Sequence, residues 1–305
     1  MKILVTGGKG MVGRELQPLL PDATYIGSSD FDLRSDAAVK ELFSREKYDY
    51  IIHLAAHVGS LHDNIENQVA YFDNNVLMNT LVTKYAYLSG VKNLLGVLST
   101  CIYPDDVAVY PMLEETLHNG KPHTSLMSYS YAKRSFAVQL DAYSSQFGVN
   151  YRYLIPSNLY GVVSESHKGR SHFVNDLVEK IIAAKKHGAD HIRLFGDGTP
   201  MRQFMYAPDF AKVIAEYVKR GLSLNMNVAP IENLSVDQIA RAALKACDAA
   251  NLKIVYDSSK PNGQMRKDVS NQKLRAALPD LEFTKLEAGV KRLYARLTDP
   301  RGELV

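Results

Sequence analysis

The first apolar run of the chain, Met1 to Thr6, passes directly into Gly7-Gly8-Lys9-Gly10-Met11-Val12-Gly13. This junction restricts the fold more than any other segment. Glycines at 7, 10 and 13 let the backbone turn tightly, and from Met11 to Leu20 apolar residues recur at helical spacing, with Pro18 near the end. A strand that turns through glycines straight into a helix is the first half of a βαβ unit. Short apolar runs follow at Thr24 to Ile26, Tyr50 to Ala55, Asn93 to Leu98 and Tyr151 to Ile155. Helical stretches lie between them, around Ala37 to Glu46, Asn75 to Ser89 and Tyr129 to Phe147. The near-continuous apolar character of Tyr50 to Ala55 suits a parallel strand buried on both faces. Strands alternating with helices predict an α/β fold built on a Rossmann-type, doubly wound parallel sheet.

The pattern changes after Gly161. Helices are expected over Phe173 to Lys186, Ala207 to Arg220, Val236 to Ala249 and Lys285 to Leu297, and a strand over Ile192 to Phe195. Ser235 with Gln238, and Thr284 with Glu287, have the spacing of capping boxes. This half is too interrupted for a second Rossmann unit and predicts a smaller C-terminal α/β domain that closes a substrate cleft. The expected division is 1–161 plus about 200–222 for the cofactor-binding domain, and 162–199 plus about 223–305 for the substrate-binding domain.

Composition narrows the function class. With 46% hydrophobic and 23% charged residues the chain reads as globular. Its apolar runs fall well short of the roughly 20 residues a membrane helix needs. Thirty-six basic against 33 acidic residues leave a net charge of +3, too little to argue for nucleic acid, though a mild positive bias suits an anionic nucleotide. Cys101 and Cys247 are the only cysteines, which excludes a disulfide framework and suits a reducing compartment. The chain enters a strand without a basic, apolar leader, so secretion is not expected and the cytoplasm is.

The glycine turn is placed to bind a dinucleotide, with Gly7, Gly10 and Gly13 letting the backbone approach a pyrophosphate at a helix N-terminus. NAD enzymes of this type carry an acid at the end of the second strand, on the ribose 2′-hydroxyl. Here that end reads Tyr25-Ile26-Gly27-Ser28-Ser29, with no acid before Asp30. Lys9, inside the glycine turn, can reach a 2′-phosphate as a point charge; the other reading is a solvent-facing lysine. NADPH is therefore favoured over NADH. Asp32 is placed either to accept from the adenine amino group or simply in a surface turn.

Tyr129 and Lys133 are i and i+4 on one helix face. An ammonium beside a phenol favours the phenolate and suits the tyrosine to act as acid or base near neutral pH. Ser99, just past the fourth strand, is placed to hydrogen-bond a carbonyl. Tyr131 points roughly the other way and reads as packing or rim.

At these residues the chain resembles the extended short-chain dehydrogenase/reductase family, and within it the branch that epimerises and reduces GDP-keto sugars. The resemblance runs nearly end to end. It is carried by residues 7–13, His53-Leu54-Ala55-Ala56-His57-Val58-Gly59, Ser99-Thr100-Cys101-Ile102-Tyr103-Pro104 and Tyr129 to Lys133. It continues through Pro156-Ser157-Asn158-Leu159-Tyr160-Gly161, Gly198-Thr199-Pro200-Met201-Arg202-Gln203-Phe204 and residues 257–263.

The resemblance implies NADPH-dependent 3,5-epimerisation and 4-reduction of GDP-4-keto-6-deoxy-D-mannose to GDP-L-fucose. Cys101 and His172 would move protons at C3 and C5, while Ser99, Tyr129 and Lys133 serve the reduction. Cofactor contacts would come from Lys9, Met11, Val12, Ser28, Asp32, Leu54, Ala55, Ala56, Lys133, Pro156, Asn158, Leu159 and His172, besides the three glycines. Substrate contacts would come from Asn158, Arg202 and Lys260, which otherwise read as surface polar residues. The family also implies a homodimer through Asn75 to Ser89 and Tyr129 to Phe147, paired as a four-helix bundle. His53, His57, His62 and His167 form no metal-ligand pattern with a cysteine or acid, so no metal is expected. The chain departs from the family's composition, though not its spacing, over residues 161–172, a loop expected to border the sugar. Two alternatives stay open: a C4 reductase of a related GDP-keto sugar without epimerisation, and a non-catalytic dinucleotide sensor.

Overall fold

The computed structural model describes residues 1–163, 173–260 and 262–299. The predicted sheet is present and parallel throughout. It is built from β1 (Ile3–Thr6), β2 (Thr24–Ile26), β3 (Tyr50–His53), β4 (Asn93–Val97) and β5 (Asn150–Pro156). Its connecting helices are α1 (Met11–Leu16), α2 (Asp36–Arg45), α3 (Leu61–Glu66), α4 (Gln68–Leu88) and α5 (Met127–Phe147). The remaining elements are β6 (Asn158–Tyr160), α6 (Phe173–His187), β7 (His191–Phe195), β8 (Met201–Arg202), β9 (Phe204–Tyr206), α7 (Ala207–Lys219) and β10 (Met226–Val228). After these come β11 (Leu234–Ser235), α8 (Val236–Ala246), β12 (Lys253–Asp257), α9 (Gln272–Ala277) and α10 (Leu286–Thr298).

The strand order is β10-β5-β4-β3-β1-β2. The chain runs outward from β1 to β2, then returns to β3 on the other side, so the order reverses between β1 and β3. That crevice is where open α/β sheets bind ligands. Side-chain alternation explains the double winding. Leu4, Ile51, Leu94 and Tyr151 point into the core beneath α2, α4 and α5. Their neighbours Val5, Ile52, Leu95 and Leu154 point into a second core with residues of α1 and α7. A third core lies under α6, α8 and α10.

Several elements differ from expectation. α1 ends at Leu16 rather than Leu20, because Pro18 has no N–H to donate back into a helix. α4 starts seven residues before Asn75, at Gln68. The capping box at Ser235 forms, with Ser235 Oγ accepting from Gln238 N at 3.1 Å and Gln238 Oε1 accepting from Ser235 N at 2.9 Å. The one expected at Thr284 does not. Buried Asp209 takes the Thr284 hydroxyl at 3.0 Å and its N–H at 2.7 Å, so α10 begins after Lys285 without a side-chain cap. The sixth strand, β10, comes from beyond residue 222, inside the stretch that the sequence division gives to the substrate-binding domain; it pairs Met226 with Leu154 and Val228 with Pro156. Among the described residues no helix is long and apolar enough to cross a membrane.

Candidate active site

Every strand of the sheet is parallel, so all six C-terminal ends lie along one edge. The segments singled out in the sequence leave from that edge: the glycine turn after Thr6, Ser28 after β2, Leu54 to Ala56 after β3, Ser99 to Cys101 after β4, and Asn158 just past β5.

The glycine turn is packed as a close backbone crossing. Gly7 has φ +68°, and a Cβ there would stand 2.7 Å from the Ala55 nitrogen. A Cβ on Gly13 would stand 2.5 Å from Gly8 Cα. Only glycine fits such a cradle, and a backbone stripped of side chains at the sheet's switch point is what a dinucleotide's pyrophosphate needs. Gly10 precedes α1, whose first residues are Met11 and Val12. Lys9 extends across the end of β2, where its Nζ donates to Asp30 Oδ1 at 2.6 Å and Ser29 Oγ at 3.2 Å. The Lys9 bond and then the Gly27 N–H hold the Asp30 carboxyl below its usual range. Asp30, the first acid past β2, is thus paired with the lysine. Asp32 is engaged by Arg34 through both carboxylate oxygens.

Below this turn a polar chain ties β1 to β3. The Ala55 N–H donates to Thr6 Oγ1 at 3.4 Å, Thr6 bonds His53 Nδ1 at 2.6 Å, and His53 Nε2 bonds Asn79 Oδ1 at 3.1 Å. With Asn79 accepting, the hydrogen sits on Nε2 and Nδ1 accepts from Thr6. Burial, then the nearby Lys133 charge, pulls the His53 pKa down to about 3, so the ring is neutral.

The catalytic candidates converge between β4 and α5. Past Val97 the backbone makes a single 3-10 turn, Thr100–Ile102, with Ser99 Oγ accepting from Cys101 N at 3.5 Å. α5 holds this turn by three carbonyls. Ser130 Oγ donates to Cys101 O at 2.9 Å, Lys133 Nζ to Val97 O at 2.8 Å, and Arg134 Nε to Ile102 O. Cys101 is buried. Lys133 is 2% exposed, and burial lowers its pKa to about 8, opposed by the thiol of Cys101.

Tyr129 differs from expectation. Burial raises its phenol pKa well above the ordinary value, and Cys101 and Tyr71 push the same way. No opposing effect of the Lys133 ammonium offsets that desolvation. Tyr71, fully buried, sets its ring edge-on to Tyr129 at 6.2 Å and donates its hydroxyl to Asp63. Tyr131 lies partly exposed under the Arg134 guanidinium, 5.5 Å away.

The substrate candidates come from other segments: Asn158 from β6, Arg202 from β8 and Lys260 from beyond β12. Arg202 Nη1 donates to Met201 O at 2.8 Å, and burial brings its pKa down to about 10. The Lys260 loop runs beside it, since a Cβ on Gly263 would stand 3.7 Å from Arg202 Nη2; Lys260 itself is exposed. Asn158 Nδ2 donates to Gln203 O at 3.2 Å. His172 lies outside the described residues. Among those described, no cluster of three His, Cys, Asp or Glu side chains could hold a metal.

Sequence reasoning missed Lys267. It is 8% exposed, its pKa is lowered by burial and by Arg202, and it feels the Cys101 thiol. Its segment is clamped on both sides: Val269 N donates to Gln203 Oε1 at 2.9 Å, and Met112 N to Asp268 O at 2.9 Å. A lysine between an arginine and an aspartate reads as surface; only tertiary pairing to Met112 and Gln203 turns it inward.

A cofactor cradle at the switch point, beside a serine and a tyrosine–lysine couple, is the layout of a Rossmann-fold oxidoreductase acting on a carbonyl. More narrowly, the chain belongs to the NAD dependent epimerase/dehydratase family, a model of which matches residues 3–229. It is 36% identical to the probable GDP-L-fucose synthase of Drosophila melanogaster, over 95% of this chain and 94% of that protein. It is 33% identical to the GDP-L-fucose synthase of Dictyostelium discoideum, over 95% and 92%. Among solved structures, a GDP-L-fucose synthetase from Naegleria fowleri bound to NADP superimposes with a TM-score of 0.87 at 30% identity, covering 98% of this chain and 94% of that one.

Proposed function

We propose that this enzyme epimerises GDP-4-keto-6-deoxy-D-mannose at C3 and C5 and reduces C4 with NADPH, giving GDP-L-fucose. The observation that carries the reading is the convergence of Ser99, Cys101, Tyr129 and Lys133 on one side of the cofactor cradle. Full-length likeness to GDP-L-fucose synthases of two eukaryotes supports it.

NADPH would lie along Gly7, Gly10, Met11, Val12 and Gly13, with Lys9 and Ser28 toward its 2′-phosphate and Leu54 to Ala56, Pro156, Asn158 and Leu159 beneath it; bound there, it supplies hydride. Lys133 orients the nicotinamide ribose. Ser99 and the Tyr129 hydroxyl hold the C4 oxygen, which stabilises the enolate as Cys101 removes a proton beside the ketone. His172, which the family resemblance pairs with Cys101, would return a proton to the carbon. Tyr129, whose phenol is kept protonated by desolvation, would give its proton to the C4 oxygen in the reduction. Arg202 and Lys267 would contact the diphosphate, where the guanidinium fork suits two oxygens.

The cofactor-holding part comprises residues 1–161 with about 200–228, and the remainder forms the sugar-nucleotide wall. The protein works as a cytoplasmic homodimer, a reading supported by two unpaired cysteines and by apolar side chains exposed on the adjoining α4 and α5, among them Phe72, Leu77 and Val138.

The test is incubation with NADPH and GDP-4-keto-6-deoxy-D-mannose in heavy water. Deuterium at both C3 and C5 of an L-configured product is expected. A reduced product with no label at either position leaves only a C4 reductase, and no NADPH oxidation at all overturns the enzymatic reading.

A further inference from the structure

Three buried cations surround the Cys101 turn, and among the described residues none has a carboxylate partner. They are Lys133, Lys267 and Arg134. Lys133 faces the cofactor and Lys267 the diphosphate, so their charges have assigned uses. Arg134 has none. It is 7% exposed, one helical turn behind Ser130 on α5. Its Nε donates to the Ile102 carbonyl, its Nη1 to the Gly120 carbonyl at 2.7 Å, and its buried Nη2 has no partner. The guanidinium is thus held by two backbone carbonyls and the face of the Tyr131 ring, with no anionic partner among the described residues. Two groups near Arg134 can become negative: Tyr131, which acts on it more strongly, and the Cys101 thiol, which favours the charged forms of Arg134, Lys133 and Lys267 alike.

We propose that Arg134 is a positioning residue for proton transfer at C3 and C5: by donating to the Ile102 and Gly120 carbonyls it fixes the turn that aims Cys101. Arg134 touches neither sugar nor cofactor and acts through Cys101, so the proposal rests on Cys101 being the base. The thiol first passes its own proton to solvent, the sulfur then takes a proton from carbon as the C–H electron pair moves to the C4 oxygen, and an acid returns a proton to that carbon on the other face. The Gly120 contact ties the same turn to the 104–123 loop.

The two half-reactions separate the roles. Exchange is read with NADP+ in place of NADPH, as deuterium entering C3 and C5 of the keto sugar in heavy water. Hydride transfer is read in reverse, from GDP-L-fucose to NADP+, which needs no proton movement at C3 or C5. Arg134→Gln is expected to slow exchange about tenfold or more while hydride transfer stays within about threefold, because a misaimed base costs far more than its small displacement suggests. Arg134→Lys, whose donors all sit on one nitrogen and so can reach the Ile102 carbonyl without spanning both, is expected to recover most of the exchange. Wild-type exchange in Arg134→Gln overturns the proposal. So does an equal loss of exchange and hydride transfer in Arg134→Lys, the variant that decides the matter if the glutamine variant does not fold. Cys101→Ser is run alongside. Undiminished exchange in that variant means the base assignment has failed; lost exchange there with wild-type exchange in Arg134→Gln means only the arginine inference has.

Discussion

Gly7→Ala separates backbone strain from steric crowding, provided Gly90→Ala is measured with it. Both glycines have positive φ, +68° and +82°, which an L side chain adopts at a cost of about 1–2 kcal/mol. They differ in surroundings. A Cβ on Gly90, just past α4, meets nothing within 4 Å, whereas one on Gly7 meets the backbone of Leu54 and Ala55 at 2.8 and 2.7 Å. Those atoms belong to the segment that follows β3 and is hydrogen-bonded to β1, so they cannot swing aside as a side-chain tip could. Forcing a methyl into such packing costs about 1–3 kcal/mol more. Gly90→Ala should lose about 1–2 kcal/mol in urea unfolding, and Gly7→Ala about 2–5 kcal/mol. NADPH affinity, followed by cofactor fluorescence, should fall sharply in the first turn's variant and stay unchanged in the other. Equal stability losses would mean that the crossing of the turn over Ala55 relaxes freely. Unaltered NADPH binding in Gly7→Ala would remove the cradle from the cofactor site.

Three other predictions follow from the same geometry. His53 is held neutral down to about pH 3, whereas in the unfolded chain it takes up a proton near pH 6.5, so the unfolded state binds more protons between these values. Stability should therefore fall as pH drops below 6.5, by up to about 1.4 kcal/mol per pH unit, and urea unfolding of His53→Gln between pH 7 and 5 should lack this component. Asp209, 1% exposed, accepts two hydrogen bonds from Thr284; Asp209→Ala should cost about 2–4 kcal/mol of stability by calorimetry while kcat stays near wild type. A charge on the outer face of α4, as in Phe72→Glu, should convert a dimer to a monomer by light scattering with thermal stability of the protomer little changed.

Much of the fold was legible because buried parallel strands are apolar runs and their helices are amphipathic. The misses have local causes. β10 has only three residues, with Asn227 at its centre. That side chain is buried because Tyr103 donates to its Oδ1 at 2.7 Å, its Nδ2 donates to Met112 O at 3.3 Å, and its N–H is taken by Glu114 at 2.8 Å. Partners from more than a hundred residues away leave no trace in local pattern. The start of α4 was hidden by Gln68, Asp73 and Asn74, polar residues around the buried Tyr71 and Asn75. Asn75 acts there as a clamp, accepting from His57 N at 3.0 Å and donating to His57 O at 3.0 Å. The cap at Thr284 failed since a buried carboxylate with no competing solvent holds a hydroxyl more firmly than a helix end does.

The electrostatics of the site were hidden for a different reason. Basic and acidic residues nearly balance over the whole chain, at 36 and 33, so composition shows almost no surplus. The carboxylates, however, are used elsewhere: Asp32 on Arg34, Asp237 on Arg241, Asp268 on Arg266, Glu114 and Glu115 on Lys273. Lys133, Arg134, Arg202 and Lys267 are left without acidic partners among the described residues, and burial lowers the proton affinity of all four. Such a cluster is stable only in so far as carbonyl dipoles hold it, and it gains most when anions arrive. A diphosphate, an enolate oxygen and a thiolate are three anions of the proposed reaction, each needed in a different place. Their common demand explains why one wall of a nearly neutral protein concentrates unpaired positive charge, and why a single net-charge figure carries no sign of it.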